Sequence, residues 1–228
     1  MLFLAIDTSG KQGSIALARA GERSEDSDSV DVLENVPLAG GAFSAQLIPQ
    51  IGELLSKHAV NKRELGALAV VSGPGSFTGL RVGLAAVKGL AAVLNKPIAA
   101  VSLLEVCAVT SGAQGKLTAV LDAGRGEVYA GQYEIPSNGS SPHEPSMLTR
   151  SEFLARAKGS TVVTPDSVLA EVARAESLSV VLLPLVSAAS VARLGWRKIR
   201  SGQTVDAEQL EANYIRRTDA EILENIKS

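Results

Sequence analysis

Apolar runs and polar breaks alternate along the chain and divide it into strands, turns and helices. Residues 2–6 are unbroken apolar and predict a central strand. Asp7-Thr8-Ser9-Gly10-Lys11-Gln12-Gly13 then forms a polar turn, and residues 14–20 return as a second strand. Residues 21–34 carry Glu22, Glu25, Asp26, Asp28, Asp31 and Glu34, with only Val30, Val32 and Leu33 to bury. That pattern predicts a hairpin tip and an edge strand whose acids form a solvated face guarding the edge. Leu47, Ile48, Ile51, Leu54, Leu55 and His58 then fall at helical spacing and predict a helix over roughly 44–59, with Ser44 as its cap. Pro49 should bend that helix or mark where its regular hydrogen bonding begins.

The most informative stretch is Val70-Val71-Ser72-Gly73-Pro74-Gly75-Ser76-Phe77-Thr78-Gly79-Leu80-Arg81-Val82-Gly83-Leu84. A buried strand over 67–71 is stopped by Gly73-Pro74-Gly75, and Ser76 is placed to cap a helix from Phe77 to Leu94. Arg81, Lys88 and Asn95 recur every seven residues as one thin polar stripe, and almost everything else in the helix is apolar or small. A helix that is apolar over most of its circumference must be covered on more than one side. Gly75, Gly79 and Gly83 stand four residues apart, and each costs about 1 kcal/mol against Ala inside a helix. Another backbone approaching closely accounts for such a series: this chain's own sheet, or a sheet on one side and a partner helix on the other.

Beyond Lys96-Pro97, residues 98–101 predict a strand, and Ser102-Leu103-Leu104-Glu105 opens a short helix to about Thr110. We place the boundary between two lobes here, at 1–105 and 106–228, with the final segment free to pack back on the first lobe. The second half echoes the first. Leu117-Thr118-Ala119-Val120-Leu121-Asp122, a turn Ala123-Gly124-Arg125-Gly126 and a returning strand over 127–133 repeat the order strand, Asp, glycine-basic-glycine turn, strand. One such repeat points to a duplicated lobe. A polar loop over 137–145, a short helix over 151–158, strands over 161–164 and 179–184 and a helix over 187–200 complete the pattern. Arg193, Arg197, Lys198 and Arg200 form a basic cluster that either touches tRNA or, as the favoured reading, complements the dipole at that last helix's C-terminus.

Composition narrows the function. The chain has 228 residues, 46% hydrophobic and 4% aromatic, with a formal net charge of −2. That charge argues against strong nucleic-acid binding by this chain alone. A single cysteine, Cys107, excludes an internal disulfide, and two isolated histidines, His58 and His143, provide no zinc cluster. The first residues reach a charge too early for a signal peptide, and no segment is read as apolar for long enough to span a membrane. A soluble, cytoplasmic protein is expected.

The run GPGSFTGLRVGLAAVKGLA resembles the signature of the bacterial TsaB (YeaZ) family, as do Ser102-Leu103-Leu104, LDAGRGEVYAGQY and Asn213-Tyr214-Ile215-Arg216-Arg217. The resemblance touches most of the chain and is dense in these four blocks. It implies an α/β fold of two RNase H-like lobes, the actin/sugar kinase/Hsp70 (ASKHA) superfold. It also implies a non-catalytic subunit in the synthesis of N6-threonylcarbamoyladenosine at position 37 of tRNA. Such a subunit binds and stabilises a TsaD-like transferase, helps recruit a TsaE-like ATPase, and meets tRNA only through the complex. By this resemblance the two amphipathic helices form the partner interface, with Leu47, Ile51, Leu54, Leu55, Phe77, Gly79, Leu80, Gly83 and Val87 as its residues. In isolation the same surface would make a homodimer.

In the superfold, two Asp-bearing turns face each other across a nucleotide cleft, which implies phosphate loops at Asp7, Thr8 and Ser9 and at Asp122 and Gly124. Two departures from the superfold's active members follow, the first counting against nucleotide binding by this chain and the second against catalysis. Thr164-Pro165-Asp166-Ser167 lacks the glycine-rich adenosine turn, and Ser44, Ala45 and Gln46 stand where the catalytic relative carries paired metal-binding histidines. No cofactor is expected in this chain itself, with ATP or ADP at the interface of the complex. The competing readings are a small-molecule kinase or ATPase using Asp7 and Asp122, and a metallopeptidase, for which no ligand pair or catalytic triad is visible.

Overall fold

The computed structural model describes residues 1–21, 29–135 and 145–215. The apolar runs close into a five-stranded sheet of β1 (Leu2–Asp7), β2 (Gly13–Ala20), β3 (Val30–Leu38), β4 (Leu65–Gly73) and β5 (Ile98–Ser102), in the order β3-β2-β1-β4-β5. The first three strands are antiparallel neighbours, while β4 and β5 run parallel to β1. A second sheet repeats this plan. Its strands are β6 (Gly115–Gly124), β7 (Glu127–Ile135), β8 (Ser146–Thr149), β9 (Thr161–Thr164) and β10 (Val180–Leu182), in the order β8-β7-β6-β9-β10 with matching directions.

The helices repeat as well. In the first half they are α1 (Phe43–Lys57), α2 (Phe77–Leu94) and α3 (Leu103–Thr110); α4 (Arg150–Arg156), α5 (Ser167–Ala175) and α6 (Ala188–Arg200) take the equivalent places in the second. This is the duplicated RNase H-like α/β arrangement of the ASKHA superfold. The echo between the two halves is the first hairpin of each sheet, with Asp7 and Asp122 near the ends of β1 and β6.

The third helix of each half crosses to the other sheet. Leu104, Cys107 and Ala108 of α3 join Leu117, Ala119 and Val163 in one cluster. Val191, Ala192 and Trp196 of α6 belong to the core of the first sheet, where Trp196 stacks on Phe3 at 6.1 Å between ring centroids. The first amides of α6 are held by that sheet: Ala188 N donates to Ser14 Oγ at 2.7 Å and Ala189 N to Asn35 Oδ1 at 3.1 Å. This explains why Ser187 makes no side-chain cap. Lys198, in the basic cluster, pairs with Glu105 at 3.2 Å.

Several expectations change in detail. Helix α1 starts at Phe43, its N-cap is Ala42 rather than Ser44, and it runs through Pro49. Ser102 precedes α3 without a side-chain cap bond. Helix α4 begins at Arg150, because Thr149 and Glu152 form a reciprocal capping box. The acidic tip at 22–28 and most of the polar loop at 137–145 lie outside the described residues. Glu34 is not merely solvated: it accepts from Lys57 Nζ at 2.6 Å and pairs with His58 Nε2 at 2.8 Å, and these partners hold its carboxyl below the usual range.

The reading that no segment is apolar enough to span a membrane also needs correction. Phe77–Leu94, at 18 residues, is long and apolar enough by length and composition. One side of it, carrying Leu80, Leu84, Val87 and Ala91, is buried in the core of the first lobe.

Candidate functional site

Two features stand out, and α2 borders both. The first is a cleft of about 890 Å³ between the lobes. Asp7, Ser9 and Lys11 line it from the first hairpin, and Asp122 and Arg125 from the second. Pro74, Phe77, Leu80, Leu121, Tyr129 and Val186 give it largely apolar walls, and Asn213, Tyr214 and Ile215 close one side. The two aspartates therefore meet across one cleft, as the duplicated lobes imply.

The first three residues of the first turn are engaged in hydrogen bonds within the protein. Asp7 is buried and its Oδ1 accepts from both Ser9 N at 2.9 Å and Ser9 Oγ at 2.6 Å. Thr8 turns away from the cleft, donating Oγ1 to the Gly79 carbonyl at 2.7 Å, and Ser9 O accepts from Ser76 N at 2.7 Å. Thr8 Oγ1 and the Ser9 carbonyl thus hold the start of α2, while Ser9 N is taken by Asp7. Gly124 supplies the left-handed turn (φ +74°) between β6 and β7 but does not line the cleft. At the adenosine side, Asp166 Oδ1 is committed to capping α5, accepting from Val168 N and Leu169 N.

Burial raises the Asp7 carboxyl above its ordinary value, against the two hydrogen bonds from Ser9, which lower it. The folded state therefore keeps this proton to higher pH than the unfolded state does. Stability from this group is complete below the ordinary carboxylate range and falls as pH rises through the raised value. Asp7→Asn is expected to flatten that decline, measured as denaturation midpoints between about pH 4 and about pH 8.

The second feature is the outer face of α1 and α2, and here the expected interface residues are redistributed. Leu47, Ile51, Leu54, Leu55, Leu80 and Val87 are buried in this chain's own core, so they cannot meet a partner. Gly79 and Gly83 are filled from within: a Cβ on Gly79 would overlap the Thr8 carbonyl oxygen, and one on Gly83 would overlap Thr8 Oγ1. The glycine spacing reports the approach of the β1 turn, not of a second protein. Of the nine expected residues only Phe77 is exposed.

What remains uncovered is the opposite side of α2. Ala85, Gly89 and Ala92 are exposed there, and Val93 is 78% exposed, with Ile48 of the neighbouring α1 at 54%. A Cβ on Gly89 or Gly52 would meet nothing within 4 Å. Small residues flanked by exposed branched ones let a second helix approach closely. The sequence held this signal in Ala85, Gly89, Ala92 and Val93, but the glycines at 75, 79 and 83 masked it.

Comparison with known proteins fits this architecture. Residues 37–147 match the family model for TsaD, tRNA N6-adenosine threonylcarbamoyltransferase. The tRNA threonylcarbamoyladenosine biosynthesis protein TsaB of Bacillus subtilis (strain 168) is 36% identical over 135 residues, covering 59% of this chain and 56% of that protein. Its Escherichia coli (strain K12) counterpart of the same name is 32% identical over 142 residues, covering 61% and 58%. The matched region thus spans a little over half the length of these curated relatives. A Pseudomonas aeruginosa crystal structure, described as an uncharacterized protein with similarity to peptidase YEAZ, superposes with a TM-score of 0.73 at 25% identity, over 94% of this chain and 99% of that one. The quoted motifs, the duplicated sheets and these relatives point the same way: the chain is similar to proteins of the TsaB/YeaZ family.

Proposed function

We propose that this chain is a non-catalytic subunit of the cytoplasmic machinery that makes N6-threonylcarbamoyladenosine on tRNA, and that it docks on a TsaD-like transferase through the outer face of α1 and α2. The names of its relatives support the pathway. The observation that carries the docking is the exposed, small-residue face around Gly89 and Val93. Support for the non-catalytic part comes from the clasped first turn and from α1, where Ser44, Ala45 and Gln46 offer no paired ligands.

On this reading the partner performs the transfer, and this chain stabilises it and helps present a surface to a TsaE-like ATPase. tRNA is met through the complex, and ATP or ADP belongs to the complex's interface, not to this chain's cleft. Without its partner, the same face closes a homodimer. The experiment is reconstitution: chain and TsaD-like transferase are expected to co-elute as a stoichiometric complex on size-exclusion chromatography. Modification of tRNA should then require both. Separate elution overturns the proposal. ATP turnover by the purified chain that Asp7→Asn removes would favour the kinase reading instead.

A further inference from the structure

The polar stripe on α2 begins with Arg81, which is held in an unusual setting. Its guanidinium carbon lies 3.6 Å from the centroid of the Phe77 ring, and its Nε donates to Tyr214 Oη at 3.0 Å. The Phe77 and Tyr214 rings lie 5.0 Å apart between centroids, so the side chain is braced by one aromatic ring from the preceding turn of α2 and one from 133 residues away. Stacking and the Nε bond use one face and one donor, leaving the two terminal nitrogens without an acceptor among the described residues. A solvated surface arginine ordinarily loses much side-chain entropy when it pairs; here that ordering is already done.

We infer that Arg81 is the charged anchor of the docking face and takes a carboxylate of the partner protein on its free guanidinium edge. The inference rests on the docking proposed above. Position supports it: Arg81 is exposed and leads the row Ala85, Gly89, Ala92 at helical spacing. Charge supports it too. Helix α2 carries Arg81 and Lys88 and no acid, so the surface it meets is complementary if acidic, and a planar fork suits a carboxylate.

The test measures the dissociation constant of the chain–transferase complex at low and high salt. Arg81→Gln is expected to weaken binding at least tenfold at low salt and to reduce the salt dependence. Arg81→Lys should recover only part of the loss, because a point charge cannot make the two-pronged contact. Tyr214→Phe keeps the charge but frees its orientation, and should weaken binding a few-fold while leaving the salt dependence. Val93→Asp separates the two layers of the account. If Val93→Asp abolishes docking while Arg81→Gln preserves both affinity and salt dependence, the anchor is refuted and the docking face stands. If neither variant changes binding, both are refuted. Capture of the chain by phosphatidylserine vesicles that is lost in Arg81→Gln, with docking intact, also overturns the assignment to a protein carboxylate.

Discussion

Val93→Asp is expected to weaken association with the transferase by at least ~100-fold, which corresponds to about 2.7 kcal/mol. The reason is desolvation. Val93 is 78% exposed in the chain alone, so the new carboxylate stays hydrated and the monomer keeps its melting temperature. On docking, the same carboxylate would be driven into an apolar contact without a partner, an uncompensated burial. Gly89→Leu should act similarly by sterics, since the side chain enters space that is open only in the free chain. Isothermal titration with unchanged circular dichroism would separate lost binding from lost folding.

Gly79→Ala is expected to act on folding. The added methyl group overlaps the Thr8 carbonyl oxygen, a backbone atom tied into β1, and disturbs the bond from Thr8 Oγ1 to Gly79 O. Destabilisation on the order of 3 kcal/mol follows, or a melting temperature lower by about 6–12 °C. Gly89→Ala, in the same helix but facing open space, should do the reverse and stabilise by up to about 1 kcal/mol through helix propensity alone. Opposite signs at two glycines of α2 would map its inner and outer faces without reference to any partner. Equal destabilisation at both would contradict the arrangement described.

Periodicity and punctuation made the fold readable from sequence. The expected helix from Phe77 to Leu94, opened by the cap residue Ser76 and ended ahead of Lys96-Pro97, matches α2, which Asn95 closes in the left-handed conformation. The duplicated hairpins were visible because Asp7 and Asp122 precede glycine-rich turns in equivalent places. The start of α1 was misread because Ser44 has the chemistry of a cap, whereas Ala42 holds that position and makes no side-chain bond.

The site was legible only in outline. Glycine spacing signals that some backbone approaches, but not whose. Here the approaching group is Thr8, 71 residues away from Gly79, and only tertiary structure reveals it. For the same reason the apolar positions of α1 and α2 suggested an interface when most of them were core. The bracing of Arg81 by Tyr214, 133 residues away, left no local trace either.

Thiol labelling tests the central claim most directly, because the single native cysteine is silent. Cys107 is buried, and that burial pushes its thiol up to about 12. A Val93→Cys variant therefore reports on the outer face of α2, and Val168→Cys on α5, 54% exposed, reports on a surface away from it. In the free chain, kept dilute enough to be monomeric, both should react with maleimide at the rate of an exposed thiol. In saturating transferase, Val93→Cys is expected to slow by at least tenfold while Val168→Cys is unchanged. A Val93→Cys thiol that stays fully reactive in a complex that demonstrably forms would place the interface elsewhere and contradict the account.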